Sequence, residues 1–100
     1  MLFNQLTIII VTFKSEKKIY TCLDTIPPQV EVIIVENSND QKFKENIEKG
    51  YTNVKCVLTG SNKGYATANN IGLRQVKTKF ALVLNPDTKL KGDTIKNFID

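Results

Sequence analysis

The side chains equipped for chemistry fall into four short stretches: Thr12-Phe13-Lys14-Ser15, Glu36-Asn37-Ser38-Asn39-Asp40, the segment from Ser61 to Asn70, and Asn85-Pro86-Asp87-Thr88. Together they offer hydroxyls, amides and a few carboxylates, groups that hydrogen-bond a polar ligand. The sequence contains no histidine and no acidic pair after its first apolar run, which argues against a zinc hydrolase or a phosphoacceptor receiver. Cys22 and Cys56 lie far apart with no second pair beside them, so both read as small buried hydrophobes rather than metal ligands or a disulfide. A Gly-x-Gly-x-x-Gly turn is missing after the first apolar run, and Gly-x-x-x-x-Gly-Lys-Ser/Thr is missing throughout. Dinucleotide oxidoreductases and P-loop NTPases are therefore disfavoured.

Each polar stretch follows a segment that reads as a strand. Leu6 to Val11 is a nearly unbroken β-branched run, the pattern of a strand covered on both faces. Ser15 stands where it could cap a helix carrying Ile19, Cys22, Leu23 and Ile26 at i, i+3, i+4 and i+7, and Pro27-Pro28 ends it. Val30 to Val35 is the second strand. Asp40 could cap a short helix with Phe43 and Ile47 one turn apart and Gly50 as its stop. Asn53 to Leu58 is the third strand, and Gly60 to Gly64 opens a helix over about Tyr65 to Gln75, in which Ala66, Ala68 and Gly72 permit close packing. Phe80 to Leu84 is the fourth strand, and Asp93 could cap a last helix with Ile95, Phe98 and Ile99. Four alternations of strand and helix predict an α/β fold, three layers with a mostly parallel sheet between helices, as one domain over residues 1–100. In such sheets ligands bind outside the carboxyl ends of the strands, where all four polar stretches fall.

Bulk properties are consistent with this reading. A composition of 41% hydrophobic and 24% charged residues is that of an ordinary globular domain. No apolar run approaches the roughly 18 to 20 residues of a membrane-spanning helix, and the N-terminus lacks the pattern of a secretory signal. Cytoplasmic placement is expected, with peripheral contact at the inner face of a membrane compatible with the net charge of +4. The lysines are scattered rather than gathered into an aromatic-laced stripe, which speaks against nucleic acid.

In order, the blocks IIIVTF, IIVENSND, NKGYATANNIGLR and FALVLNPDT resemble the family 2 glycosyltransferases, especially their rhamnosyltransferase-like branch, over nearly the whole chain. The resemblance implies the nucleotide-sugar-binding half of a GT-A fold. It places Thr12 at base or ribose contacts. Glu36, where the family usually has Asp, would accept the N3–H of uracil or thymine, leaving UDP and dTDP both open. Asn62, Gly64, Asn69 and Asn70 belong to the Asn-x-Gly block, whose small residues let a helix start approach the nucleotide and whose amides can bond it. Asn85 and Asp87 occupy the Asp-x-Asp slot, with Asp87 as ligand to a divalent cation, Mg²⁺ or Mn²⁺, that bridges the donor phosphates. Phe13 and Lys14 depart from the family's usual Tyr-Asn; Lys14 could touch a phosphate or simply be solvated. Ser38 and Asp40 are expected to shape their loop and cap the next helix.

What the resemblance implies for function is an inverting glycosyl transfer from a nucleoside-diphosphate sugar to a polysaccharide or lipid-linked acceptor. The family's catalytic base, an Asp or Glu, belongs to a second half, so no residue here is assigned to that role and the fragment is expected to be inactive by itself. The alternative is a noncatalytic module that keeps the fold for nucleotide binding or for pairing with a partner, including another copy through an apolar face.

Overall fold

The computed structural model describes residues 2–88 and residue 90. After a 3-10 turn at Phe3–Gln5 come β1 (Leu6–Thr12), α1 (Glu16–Asp24), β2 (Glu31–Glu36), α2 (Gln41–Gly50), β3 (Val54–Leu58), α3 (Tyr65–Arg74) and β4 (Phe80–Leu84). Each strand lies within a residue of its expected bounds. The last expected helix, with Asp93, Ile95, Phe98 and Ile99, lies outside the described residues.

The four strands form one parallel sheet in the order β3-β2-β1-β4. All seven residues of β1 are buried, as its unbroken apolar run requires of a central strand. Its side chains divide by parity between two layers. Ile8 and Ile10 join Val32 and Ile34 of β2 in a core completed by Ile19, Cys22 and Leu23 of α1 and Phe43 and Ile47 of α2. On the opposite face Val11, Ile33 and Val35 pack with Ala68 of α3. Two helices thus cover one face and one covers the other, giving the three-layer α/β/α arrangement. Both cysteines are buried and unpaired.

Helix α3 lies close to the sheet because Gly72 has no side chain. A Cβ there would stand 2.8 Å from Ile9 Cγ2 and 2.9 Å from Val35 Cγ2, closer than van der Waals contact allows. Ala68 and Gly72 are both buried as expected, whereas Ala66 is exposed. At i−2 from Ala68 on a helix of 3.6 residues per turn, Ala66 falls on the outer side.

Capping follows the sequence at one helix and departs from it at another. Asp40 Oδ1 accepts the Phe43 N–H at 3.0 Å, the expected cap of α2. Ser15 occupies the N-cap position of α1 without capping it, its hydroxyl donating instead to the Phe13 carbonyl at 3.3 Å. The chain turns here through Lys14, whose φ of 54° lies in the left-handed region, and the bend points the Ser15 side chain backwards. Gly50 ends α2 without a left-handed residue, the chain leaving through extended Tyr51.

The outer side of β3 is covered by α2. Asn53 and Thr59 bond across to β2, so the alternating Cys56 main chain faces outward. There Lys44 Nζ donates to the Cys56 carbonyl at 2.6 Å, and Glu48 Oε2 accepts the Cys56 N–H at 2.8 Å. A salt bridge of 2.9 Å joins Lys44 to Glu48. The Cys56 N–H bond, ahead of Lys44, holds the Glu48 carboxyl below its ordinary range.

Candidate functional site at the carboxyl edge of the sheet

The parallel register sets Thr12 opposite Glu36 and Glu36 opposite Leu58, while Ile10 stands opposite Leu84. All four polar stretches therefore emerge on one edge. The connections leave β1 towards β2 on one side and reach β4 on the other, making the gap between β1 and β4 the topological switch point where such sheets form a ligand crevice.

At the end of β1 and β2, Thr12 and Glu36 are 1% and 2% exposed. Thr12 Oγ1 donates to Glu36 Oε1 at 2.9 Å, and the Ser38 hydroxyl donates to Oε2. A buried carboxylate needs such donors. The consequence is that Glu36 lies beneath its partners, and half-buried Ser38 forms the surface above it.

Asn37, which sequence reasoning passed over, is 3% exposed and ties the loops together. Its Nδ2 donates to Asn62 Oδ1 and to the Gly64 carbonyl, both at 3.1 Å. Its Oδ1 accepts from Thr59 Oγ1 and the Lys63 N–H, both at 2.9 Å. Asn62 Oδ1 also accepts the Gly64 N–H at 3.1 Å, so that oxygen serves the loop itself. Gly64, with φ of 86°, makes the turn into α3. The only signal for Asn37 was an Asn directly after a strand, a signal Asn39 nearly shares.

The remaining sequence-predicted residues divide by exposure. Asn70 is exposed on α3, whereas Asn69 is half-buried and its Oδ1, closed off from solvent, has no partner among the described residues. Beyond β4, Asn85 and Asp87 are exposed in a turn closed by the Thr88 N–H on the Asn85 carbonyl at 3.0 Å. The Cys22 thiol packs beneath at 4.0 Å from the same carbonyl. Burial first, and then the Asp87 carboxylate, push that thiol up from its ordinary value.

Asp87 faces a hollow of about 380 Å³ lined also by Lys17, Lys18 and Thr21. Lys17 and Lys18 are shared with a second hollow of about 520 Å³ that reaches Phe13, Lys14 and Ser15. A basic groove thus runs along the first turn of α1 beside the switch point. Among the described residues no group of three His, Cys, Asp or Glu side chains could hold a metal alone. Asp87 fits a hard cation whose other ligands are phosphate oxygens and water. β2, which ends at Glu36, and β4, which leads to Asp87, stand two strand spacings apart, about 10 Å, on either side of β1.

Comparison with known proteins bears on the family and the fold. The chain is 29% identical over 99 residues to the low-salt glycan biosynthesis hexosyltransferase Agl10 of Haloferax volcanii, spanning 95% of this chain and 32% of that protein. It is 30% identical over 105 residues to a teichoic acid poly(glycerol phosphate) polymerase of Staphylococcus epidermidis, spanning 97% of this chain and 15% of the polymerase. Among solved structures, S. aureus TarS 1-349 in complex with UDP superposes with a TM-score of 0.81 at 24% identity, covering 95% of this chain and 31% of that one. A further crystal structure of S. aureus TarS 1-349 gives a TM-score of 0.80 at 23% identity; both likenesses establish the GT-A fold. The model of glycosyl transferase family 2 matches residues 7–100, and this chain belongs to that family.

Proposed function

We propose that this chain is the donor-binding part of a glycosyltransferase that takes a UDP- or dTDP-sugar and passes the sugar, with inversion, to a polysaccharide or lipid-linked acceptor. The observation that carries the reading is the pairing, in a family 2 chain, of a carboxylate-backed polar patch on one side of β1 with an exposed aspartate facing lysines on the other. The uracil or thymine lies on the Ser38 surface above buried Glu36, with the ribose at the end of β1 rather than on the buried Thr12 hydroxyl. The diphosphate lies along the groove between Asp87 and Lys17 and Lys18, where positive charge offsets the phosphates. A Mg²⁺ or Mn²⁺ arriving with the donor supplies further neutralisation of the leaving diphosphate. Asn69 and Asn70 line the α3 side. The names of the curated relatives, a low-salt glycan biosynthesis hexosyltransferase and a teichoic acid poly(glycerol phosphate) polymerase, are what favours a cell-envelope acceptor; transfer in the cytoplasm at the inner face of the membrane is part of the same proposal. This chain spans about a third or less of those relatives, and the base that accepts the acceptor proton is assigned to no residue in it.

Exposed Phe80 and Val83 on β4, at 39% and 36%, favour one other reading, a noncatalytic module that binds nucleotide or pairs with a partner. Calorimetric titration of UDP and dTDP, with and without Mn²⁺, tests the donor site. Mn²⁺ is expected to tighten binding to the native chain, and Asp87→Ala to remove that gain, a loss of about tenfold or 1.4 kcal/mol. Absence of binding to the folded chain at millimolar nucleotide moves the partner-pairing reading to the front.

A further inference from the structure

We infer that Ser38, not Glu36, is the group that touches the nucleobase, with Glu36 acting through it as a buried anchor. The inference rests on the donor-binding reading above and concerns which atom at that site reads the base.

Hydrogen-bond counting at the three side chains carries it. Glu36 is 2% exposed, and both its oxygens are taken, Oε1 by Thr12 Oγ1 at 2.9 Å and Oε2 by Ser38 Oγ. Thr12 is 1% exposed, so its hydroxyl is sealed in with the carboxylate. Ser38 alone of the three reaches the surface. A hydroxyl has one proton and two lone pairs. The Ser38 proton is committed to Glu36, and one lone pair receives the Asp40 N–H at 3.3 Å. The other lone pair remains for a ligand.

That arrangement gives Ser38 a fixed polarity. A free serine hydroxyl rotates to suit either a donor or an acceptor, but one whose proton is held by a buried carboxylate can only accept. Donating to an anion also raises the electron density on the oxygen, strengthening it as an acceptor. The base it selects is therefore one with an N–H at the reading edge, the imide of uracil or thymine. Cytosine, with an unprotonated ring nitrogen at the same position, would set lone pair against lone pair. The longer side chain of Glu36, compared with an aspartate, is here folded down under Thr12 and Ser38, and the serine restores the reach to the surface.

The experiment titrates UDP, CDP and N3-methylated UDP into the native chain, Ser38→Ala and Ser38→Thr, with folding checked by circular dichroism. The native chain is expected to prefer UDP over both others by about tenfold, the worth of one hydrogen bond against an unpaired acceptor. In Ser38→Ala the gap should close, UDP binding more weakly and CDP no worse than to the native chain, and Ser38→Thr should restore the preference. Should the alanine variant not fold, Ser38→Cys, with a weakly hydrogen-bonding thiol of similar size, is expected to show the same loss. Retained or increased UDP preference in Ser38→Ala means that Glu36 reads the base directly and overturns the inference. Equal affinity of the native chain for UDP and CDP overturns it too, while leaving the donor site standing. Binding of no nucleotide removes the donor reading and the inference with it.

Discussion

Asn37 and Asn39 are the same residue type in the same loop, yet one is buried at the junction of two loops and the other is exposed. The difference arises from long-range partners, the Asn62 side chain and the Gly64 carbonyl 25 and 27 residues away, which no local pattern announces. Local chemistry was legible where the partner is local: Asp40 caps α2 three residues on, as its spacing with Phe43 implies. Ser15 failed the same test because the left-handed Lys14 turns the chain before it. Glu36 was legible as a site residue from the family block, but its burial under Thr12 and Ser38 was not, since a strand-end acid ordinarily faces water. Replacing Asn37 by Ala strands the Lys63 N–H and removes one donor each from Asn62 Oδ1, which keeps the Gly64 N–H, and from the Gly64 carbonyl, which keeps the Ala68 N–H. The expected cost is about 2 to 3 kcal/mol in urea unfolding, together with weaker UDP binding as the entry to α3 loosens. An Asn37→Ala variant as stable as the native chain would show that this junction holds nothing.

At the scale of elements, strands were read within a residue because a β-branched run covered on both faces admits few alternatives. Helix faces were read less completely. Gly72 and Ala68 were recognised as small residues for close packing, but Ala66, equally small, is on the outside. Which small residue meets the sheet depends on the rotation of α3, set here by Val11, Ile33 and Val35 packing beside Ala68. Gly72→Ala separates two opposing effects. Helix propensity favours alanine by up to about 1 kcal/mol. The added Cβ, however, meets two methyl groups under 3 Å away, and overpacking of that kind costs about 1 to 3 kcal/mol. Steric cost is expected to prevail, lowering the unfolding midpoint in thermal and urea denaturation. An unchanged or raised midpoint would mean that α3 shifts freely on the sheet.

Across the whole molecule, the two cysteines report on its integrity. Both belong to the core that α1 and α2 share with the sheet, and burial pushes the Cys56 thiol up to about 12. A thiol protonated at neutral pH and shut away from solvent reacts only when the core opens. Alkylation of native protein at pH 8 is therefore expected to be slow at both positions and to accelerate together across the urea transition; rapid labelling of Cys56 alone would show that α2 lifts off locally. The same helix gives the sheet a direction. With Lys44 and Glu48 occupying the outward main chain of Cys56, a strand approaching beyond β3 finds its docking points already used. Beside β4, whose only strand neighbour among the described residues is β1, none of those residues makes such a clamp. The sheet is thus clamped at its β3 edge, whereas β4 leads straight into the Asp87 turn, so that whatever lies beside the end of β4 also lies next to Asp87.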